Sequence, residues 1–147
     1  MKLPRLLVIG AAAFLPALAA SAQAPSMSPE QRAALDAAER WLVPVDAGRY
    51  ADAYAMAADE FRKGVTREQW LAGIGGIRRD FGKLDKRTAE KMGFVGEPPK
   101  PDVALAPGAK VVILFHGTFA RKRDAEEEMT MVYEKDGVWR MASYYIR

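Results

Sequence analysis

The chain has 147 residues, half of them hydrophobic, with one histidine, no cysteine and a formal charge of +3. That length suits one ordinary domain. The missing cysteines exclude disulfides and an N-terminal lipid-modified cysteine, and with one histidine they leave few ligands for structural zinc.

In chain order, the first segment reads as a targeting signal. Lys2 and Arg5 precede an uncharged apolar run from Leu6 to Ala20, and "ALAASAQA" supplies the small-x-small cleavage pattern. A cut after Ala22 avoids leaving Pro25 at the first mature position. The run falls short of the roughly 20 residues that span a bilayer. Residues 1–22 hold two basic and no acidic side chains, so cleavage lowers the net charge to +1. That removes the main electrostatic argument for nucleic acid. The expectation is a periplasmic or secreted protein, not membrane-bound once cleaved, with residues 23–28 as a flexible leader and 29–147 as one domain.

Ser28, Pro29 and Gln31 form a predicted capping box. Ala34, Ala37, Ala38, Trp41, Leu42 and Val45 make one helical stripe, in which Pro44 predicts a kink or an end near Val43. Gly48 suits a left-handed cap. Tyr50 to Lys63 reads as a second helix, stopped by Gly64. Thr66 and Gln69 form another capping box, opening a third helix with Trp70, Leu71, Ile74 and Ile77 on its inner stripe. Gly73, Gly75 and Gly76 interrupt that stripe, for close packing or through local irregularity.

After Gly82 the period becomes alternating. Leu84 to Met92 is charged like an edge strand. "GEPPKPDVALAPG" is a loop, and "AKVVILFHGTFA" is apolar on both faces like a central strand. Glu127 to Lys135 and Val138 to Ile146 flank Asp136-Gly137, a favoured two-residue hairpin turn. Three helices followed by four strands indicate an α+β fold, with helices on one face of an antiparallel sheet.

A two-residue turn sets Tyr133 opposite Arg140, Met131 opposite Ala142 and Met129 opposite Tyr144 on the helix-facing side, with Arg140 over the Tyr133 ring. The other face pairs Glu134 with Trp139, Val132 with Met141, Thr130 with Ser143 and Glu128 with Tyr145. Such a mixed face reads equally as a partner-facing patch or as an ordinary solvated surface.

"AAERWLVPVDAGRYADAY", Trp70, "IRRDFGKLDKR", Glu128 and "DGVWRMASYYI" together resemble the exported bacterial proteins of domain of unknown function 4019, over about Ala34 to Ile146. The resemblance implies a cone-shaped, cystatin-like or nuclear-transport-factor-2-like fold, with a curved sheet and a pocket at its wide end. Folds of that shape host isomerases, dehydratases, binders and dimerisation modules, so fold does not decide function.

His116 is the first candidate for acid–base chemistry. A hydrogen-bonded strand histidine is the commoner reading. Ser143 has no nucleophile elbow around it and faces away from the core. "GIGGIRR" lacks the Gly-Lys-Ser/Thr of a phosphate loop. Arg78, Arg79 and Arg87 offer a local anion site, against a basic face paired with nearby acids. Glu126 and Glu128 share a strand face, while Glu127 points the other way. Tyr54, Trp70, Arg78 and Tyr144 are the candidate ligand-binding residues, with core filling as the plainer account of the aromatic ones.

The reading is a non-enzymatic binding or interaction module without cofactor or metal, self-associating through its sheet as a homodimer. Its partner is a small molecule or an envelope protein. The alternative is a small isomerase or dehydratase using His116 as base.

Overall fold

The computed structural model describes residues 26–147. The targeting segment read over residues 1–22, its cleavage site and the first residues of the leader lie outside them. Four helices precede four strands: α1 Pro29–Asp46, α2 Tyr50–Met56, α3 Asp59–Gly64, α4 Arg67–Phe81, β1 Leu84–Phe94, β2 Lys110–Phe119, β3 Ala125–Tyr133 and β4 Trp139–Ile146. The strands form one open antiparallel sheet in the order β1-β2-β3-β4. The helices cover one face of it.

Both capping boxes form. Ser28 Oγ accepts from the Gln31 amide while the Gln31 side chain accepts from the Ser28 amide, and Thr66 and Gln69 repeat the exchange. Each satisfies amide donors that a helix start leaves unpaired.

Pro44 neither ends nor shortens α1 at Val43, as its missing amide led us to expect. The helix runs on to Asp46 with the proline ring buried. Only two helical residues follow the proline, so little remains to be broken. The last turn is closed by Ala47 N–H to Val43 O, Gly48 N–H to Val45 O and Arg49 N–H to Pro44 O.

The predicted second helix is two, which makes four helices rather than three among the described residues. Ala57 and Ala58 are extended, and the Ala58 amide donates to Met141 O of β4 at 2.8 Å. A strand edge thus captures the donor that a continuous helix would need. The Glu134 carboxylate then accepts from the Asp59 amide at 3.0 Å and starts α3. Both alanines are fully buried, so tertiary packing overrides local propensity here.

The hairpin also departs from expectation. Gly137 takes φ 79°, whereas Asp136 stays at negative φ, and a type I′ turn requires both positive. Gly137 N–H donates to Glu134 O and Glu134 N–H to Val138 O, closing a three-residue loop. Near the turn the pairs are Tyr133 with Trp139, Val132 with Arg140 and Met131 with Met141, each one residue off the predicted register. Ala142 then stands unpaired as a β-bulge, and the expected pairs Thr130–Ser143, Met129–Tyr144 and Glu128–Tyr145 follow.

The bulge inverts the side-chain phase, so Trp139, Met141, Tyr144 and Ile146 all face the helices while Arg140 faces out. Tyr133 therefore packs on Trp139, ring centroids 5.4 Å apart, and Arg140 pairs with Glu134 and Asp136 instead of lying over Tyr133.

The core lies between helices and sheet. Trp41, Leu42, Val45, Val111, Ile113, Met129, Met131 and Met141 are almost wholly buried. Burying side chains of this size stabilises by about 1.5–3 kcal/mol each. Two indoles also pin α2: Trp41 Nε1 donates to Ala53 O and Trp70 Nε1 to Tyr50 O, both at 2.8 Å.

Candidate functional site

Two neighbouring sites meet at Tyr144. The first is an open groove of about 590 Å³ between α3, α4 and the free edge of β4. Phe61, Trp70, Ile74, Ile77 and Tyr144 are among its apolar lining. The rings of Phe61 and Trp70 meet edge-on at 5.7 Å, and Trp41 stands behind them, 5.6 Å from Trp70 and 5.2 Å from Tyr144. The floor is thus an aromatic stack continuous with the core.

Gly73 lines the groove from the middle of α4. A Cβ built on it would meet nothing within 4 Å, so close packing does not account for this glycine. Its helix-interior position costs about 0.5–1 kcal/mol relative to alanine. What its missing side chain does is keep the groove open. Gly64, at the end of α3, borders the same groove with equally open space.

The second site is ionic and open to solvent at Asp46. Asp46 at the end of α1, Arg78 of α4, Arg87 of β1 and Glu127 of β3 form an ionic quartet, of which Arg78 and Glu127 are buried. Arg87 spans it, donating from Nη1 to Asp46 Oδ2 at 2.6 Å and from Nε to Glu127 Oε2 at 2.5 Å. Arg78 Nη2 donates to Asp46 Oδ1 at 2.9 Å, and its guanidinium lies 4.7 Å from the centre of the Phe119 ring. Glu127 is fully buried.

Burial works against the Arg87 charge. The hydrogen bonds it donates to Asp46 and Glu127 more than offset it, so the guanidinium is held more firmly protonated than a free arginine. Gly117, paired with Arg87 across the strands, is required here. A Cβ on it would stand 2.8 Å from the Phe119 ring.

Tyr144 joins the two sites, its ring in the groove floor and its hydroxyl beside the quartet. Burial, and next the negative charge of Glu127, push that hydroxyl well above the ordinary tyrosine range. The Tyr144 hydroxyl and Arg78 Nη1 are both buried without a hydrogen-bond partner among the described residues. Arg78 Nη1 lies 4.0 Å from Glu127 Oε1, too far for a hydrogen bond.

Of the four candidate binding residues, Trp70 and Tyr144 line the groove. Arg78 belongs to the quartet. Tyr54 is a clamp, its hydroxyl donating to Val65 O at 2.8 Å and holding the α3–α4 junction. Arg78 and Arg87 are paired with acids, the first buried and the second partly so, while Arg79 is exposed.

His116 lies on the outer face of the sheet, on the side away from the helices. Its side chain is 38% exposed, with Nδ1 3.5 Å from Asp124 Oδ1, and it does not reach the groove. Ser143 borders the groove rim. Among the described residues no three or more histidine or acidic side chains gather as a metal site needs. Sequence reasoning missed Asp46 and Phe61. The opposite phase of Glu127 in β3, and the reading of Arg78 and Arg87 as paired with nearby acids, pointed toward the quartet.

Residues 37–144 match the family described as "Protein of unknown function (DUF4019)". The chain belongs to the DUF4019 family. Among curated protein sequences none matches this DUF4019 protein. In three dimensions it is similar to Aln2 from a Streptomyces species, with a TM-score of 0.49 and 19% identity, over 82% of this chain and 91% of that one. A protein from Catenulispora acidiphila is similar at a TM-score of 0.43 and 13% identity, over 79% and 88% of the two chains.

Proposed function

We propose that this DUF4019 protein is an exported, non-enzymatic binding module on a cone-shaped, cystatin-like scaffold, holding its ligand in the groove beside β4. The observation that carries the reading is the groove itself: about 590 Å³, floored by Phe61, Trp70 and Tyr144 and kept open by Gly73. Concave, mostly apolar sites of this size are where ligands bind.

The neutral apolar dye phenylnaphthylamine tests it, since its fluorescence rises on leaving water. Saturable enhancement that Gly73→Leu abolishes supports the groove as a ligand site. Enhancement unchanged in that variant, or none at all, refutes it. Native mass spectrometry of the processed protein, purified from its own compartment, would reveal a retained natural ligand.

The outer sheet face favours self-association as a second activity. Lys91, Leu114, Glu128 and Tyr145 form one row across it. Leu114 on β2 is flanked by Lys91 on one side and by Glu128 on the other. A two-fold axis along β2 would stack Leu114 on its copy and set Lys91 against Glu128 of the second copy. Such complementarity fixes register and suppresses wrong partners. Sedimentation of Lys91→Glu, then of Lys91→Glu with Glu128→Lys, would show loss and recovery of a dimer.

A further inference from the structure

We infer that the occupant of the groove is an extended, uncharged peptide segment of a partner protein, added as a strand to the free edge of β4. This rests on the groove being a binding site and names what binds there.

The edge supplies the polar half of the recognition. Glu126 and Arg147 exchange both backbone hydrogen bonds, at 2.9 and 3.0 Å. In an antiparallel ladder such pairs alternate with pairs whose N–H and C=O point away. Ser143 and Tyr145 therefore bond toward β3, and Tyr144 and Ile146 aim their backbone groups outward. Those groups have no protein partner among the described residues. They open along the groove, which Ala142 to Arg147 border as one continuous stretch.

The chain already uses this edge in the proposed way. Extended Ala57–Ala58 docks on it through Ala58 N–H to Met141 O. The occupant continues the same edge past the bulge, where the protein's own backbone turns away into α3. Main-chain bonds then supply affinity, while alternate side chains reach the aromatic floor beside Gly73.

Charge complementarity selects a neutral segment. The charged groups at the rim are engaged within the protein, Glu60 with Lys110 at 2.8 Å and Arg147 with Glu126 at 2.9 Å. A charged occupant would lose water without gaining a counter-ion. An apolar, alternating strand has no charge to strip of water.

The test selects random nonapeptides on a display library against the full processed protein and resynthesises the winners. Titration calorimetry then compares wild type, Gly73→Leu, Gly73→Ala, Ile146→Ala and Ile146→Pro. The proline variant removes an outward N–H that the ladder does not use, and the alanine variant controls for the lost side chain. The expected winners alternate apolar residues, weaken on the order of tenfold in Ile146→Pro relative to Ile146→Ala, and fail when N-methylated at alternate positions. Gly73→Ala weakens them while remaining folded, which covers misfolding of Gly73→Leu.

No enrichment, or winners indifferent to Ile146→Pro and to N-methylation, overturns strand addition. If phenylnaphthylamine still binds in that case, the groove is a small-molecule site and only the peptide is lost. If the dye fails too, the groove reading falls with it. A protein dimer dissolved by Gly73→Leu would place a second copy on the edge and likewise overturn a foreign partner.

Discussion

The quartet and the groove share a wall and follow opposite rules. In the quartet, full charges are matched and half of them buried, two guanidiniums against two carboxylates, on four different elements. In the groove, neutral aromatic surface stays open to water and strand-edge hydrogen bonds stay unmade. A buried ion pair adds little net stability when intact, yet its halves cannot be separated cheaply. Unfilled apolar surface and free edge groups lose little by waiting for a partner. The ionic site ties α1, α4, β1 and β3 together, and the groove beside it stays open.

Breaking that tie should have the largest effect. Glu127→Ala leaves buried Arg78 and partly buried Arg87 sharing one carboxylate, and urea unfolding should register a loss of about 3 kcal/mol. The double variant Arg87→Met with Glu127→Met should lose less than Glu127→Ala. A larger loss in the double variant would mean that the quartet is worth more than its own desolvation.

Tyr144, shared by both sites, separates them by pH. Its folded pKa is raised, so its contribution is complete below the unfolded value near 10 and is lost as pH climbs above it. Tyr144→Phe should leave neutral-pH stability within about 1 kcal/mol of wild type. It should also flatten the alkaline fall seen between the neutral and strongly basic ranges. An identical alkaline curve for both proteins would remove the hydroxyl from the quartet.

On the groove side, Gly73→Ala should stabilise the free protein by about 0.5–1 kcal/mol while weakening any occupant. Destabilisation would mean that the glycine serves packing. The smallest effect belongs to the turn. The hydrogen bond from Arg140 holds the Asp136 carboxyl below its usual range. Its contribution is therefore present above the unfolded value and fades as pH falls through the folded one. Asp136→Asn should differ from wild type only slightly, and should lack that acid dependence in thermal melts.

Local signals in the sequence were read well. Ser28-Gln31 and Thr66-Gln69 cap helices through contacts within four residues, and the two-sided apolarity of Val111 to Phe119 marks a strand with neighbours on both edges. What the residues did not disclose depends on groups far along the chain. Ala57–Ala58 looks helical until Met141 O takes its amide. Asp46 looks like an ordinary helix-end acid until Arg78 and Arg87 arrive from two other elements. Asp136-Gly137 fits two loop lengths equally in composition, and only the backbone sign at Asp136 chooses between them. Glu127 carried a partial signal, because an acid in the inward phase of a strand needs a cation.

The Ala142 bulge has a consequence for how this strand tolerates change in length. The three-residue loop displaces the pairing by one, and the bulge restores it before Ser143, much as a second frameshift suppresses a first. Ala142 is therefore slack. A chain lacking it would keep Trp139 opposite Tyr133 and Tyr144 opposite Met129, with both rings still turned toward the helices. Relatives one residue shorter between those positions should keep the aromatic floor and the free edge beside it, and a gap there marks spare length taken up rather than a strand lost.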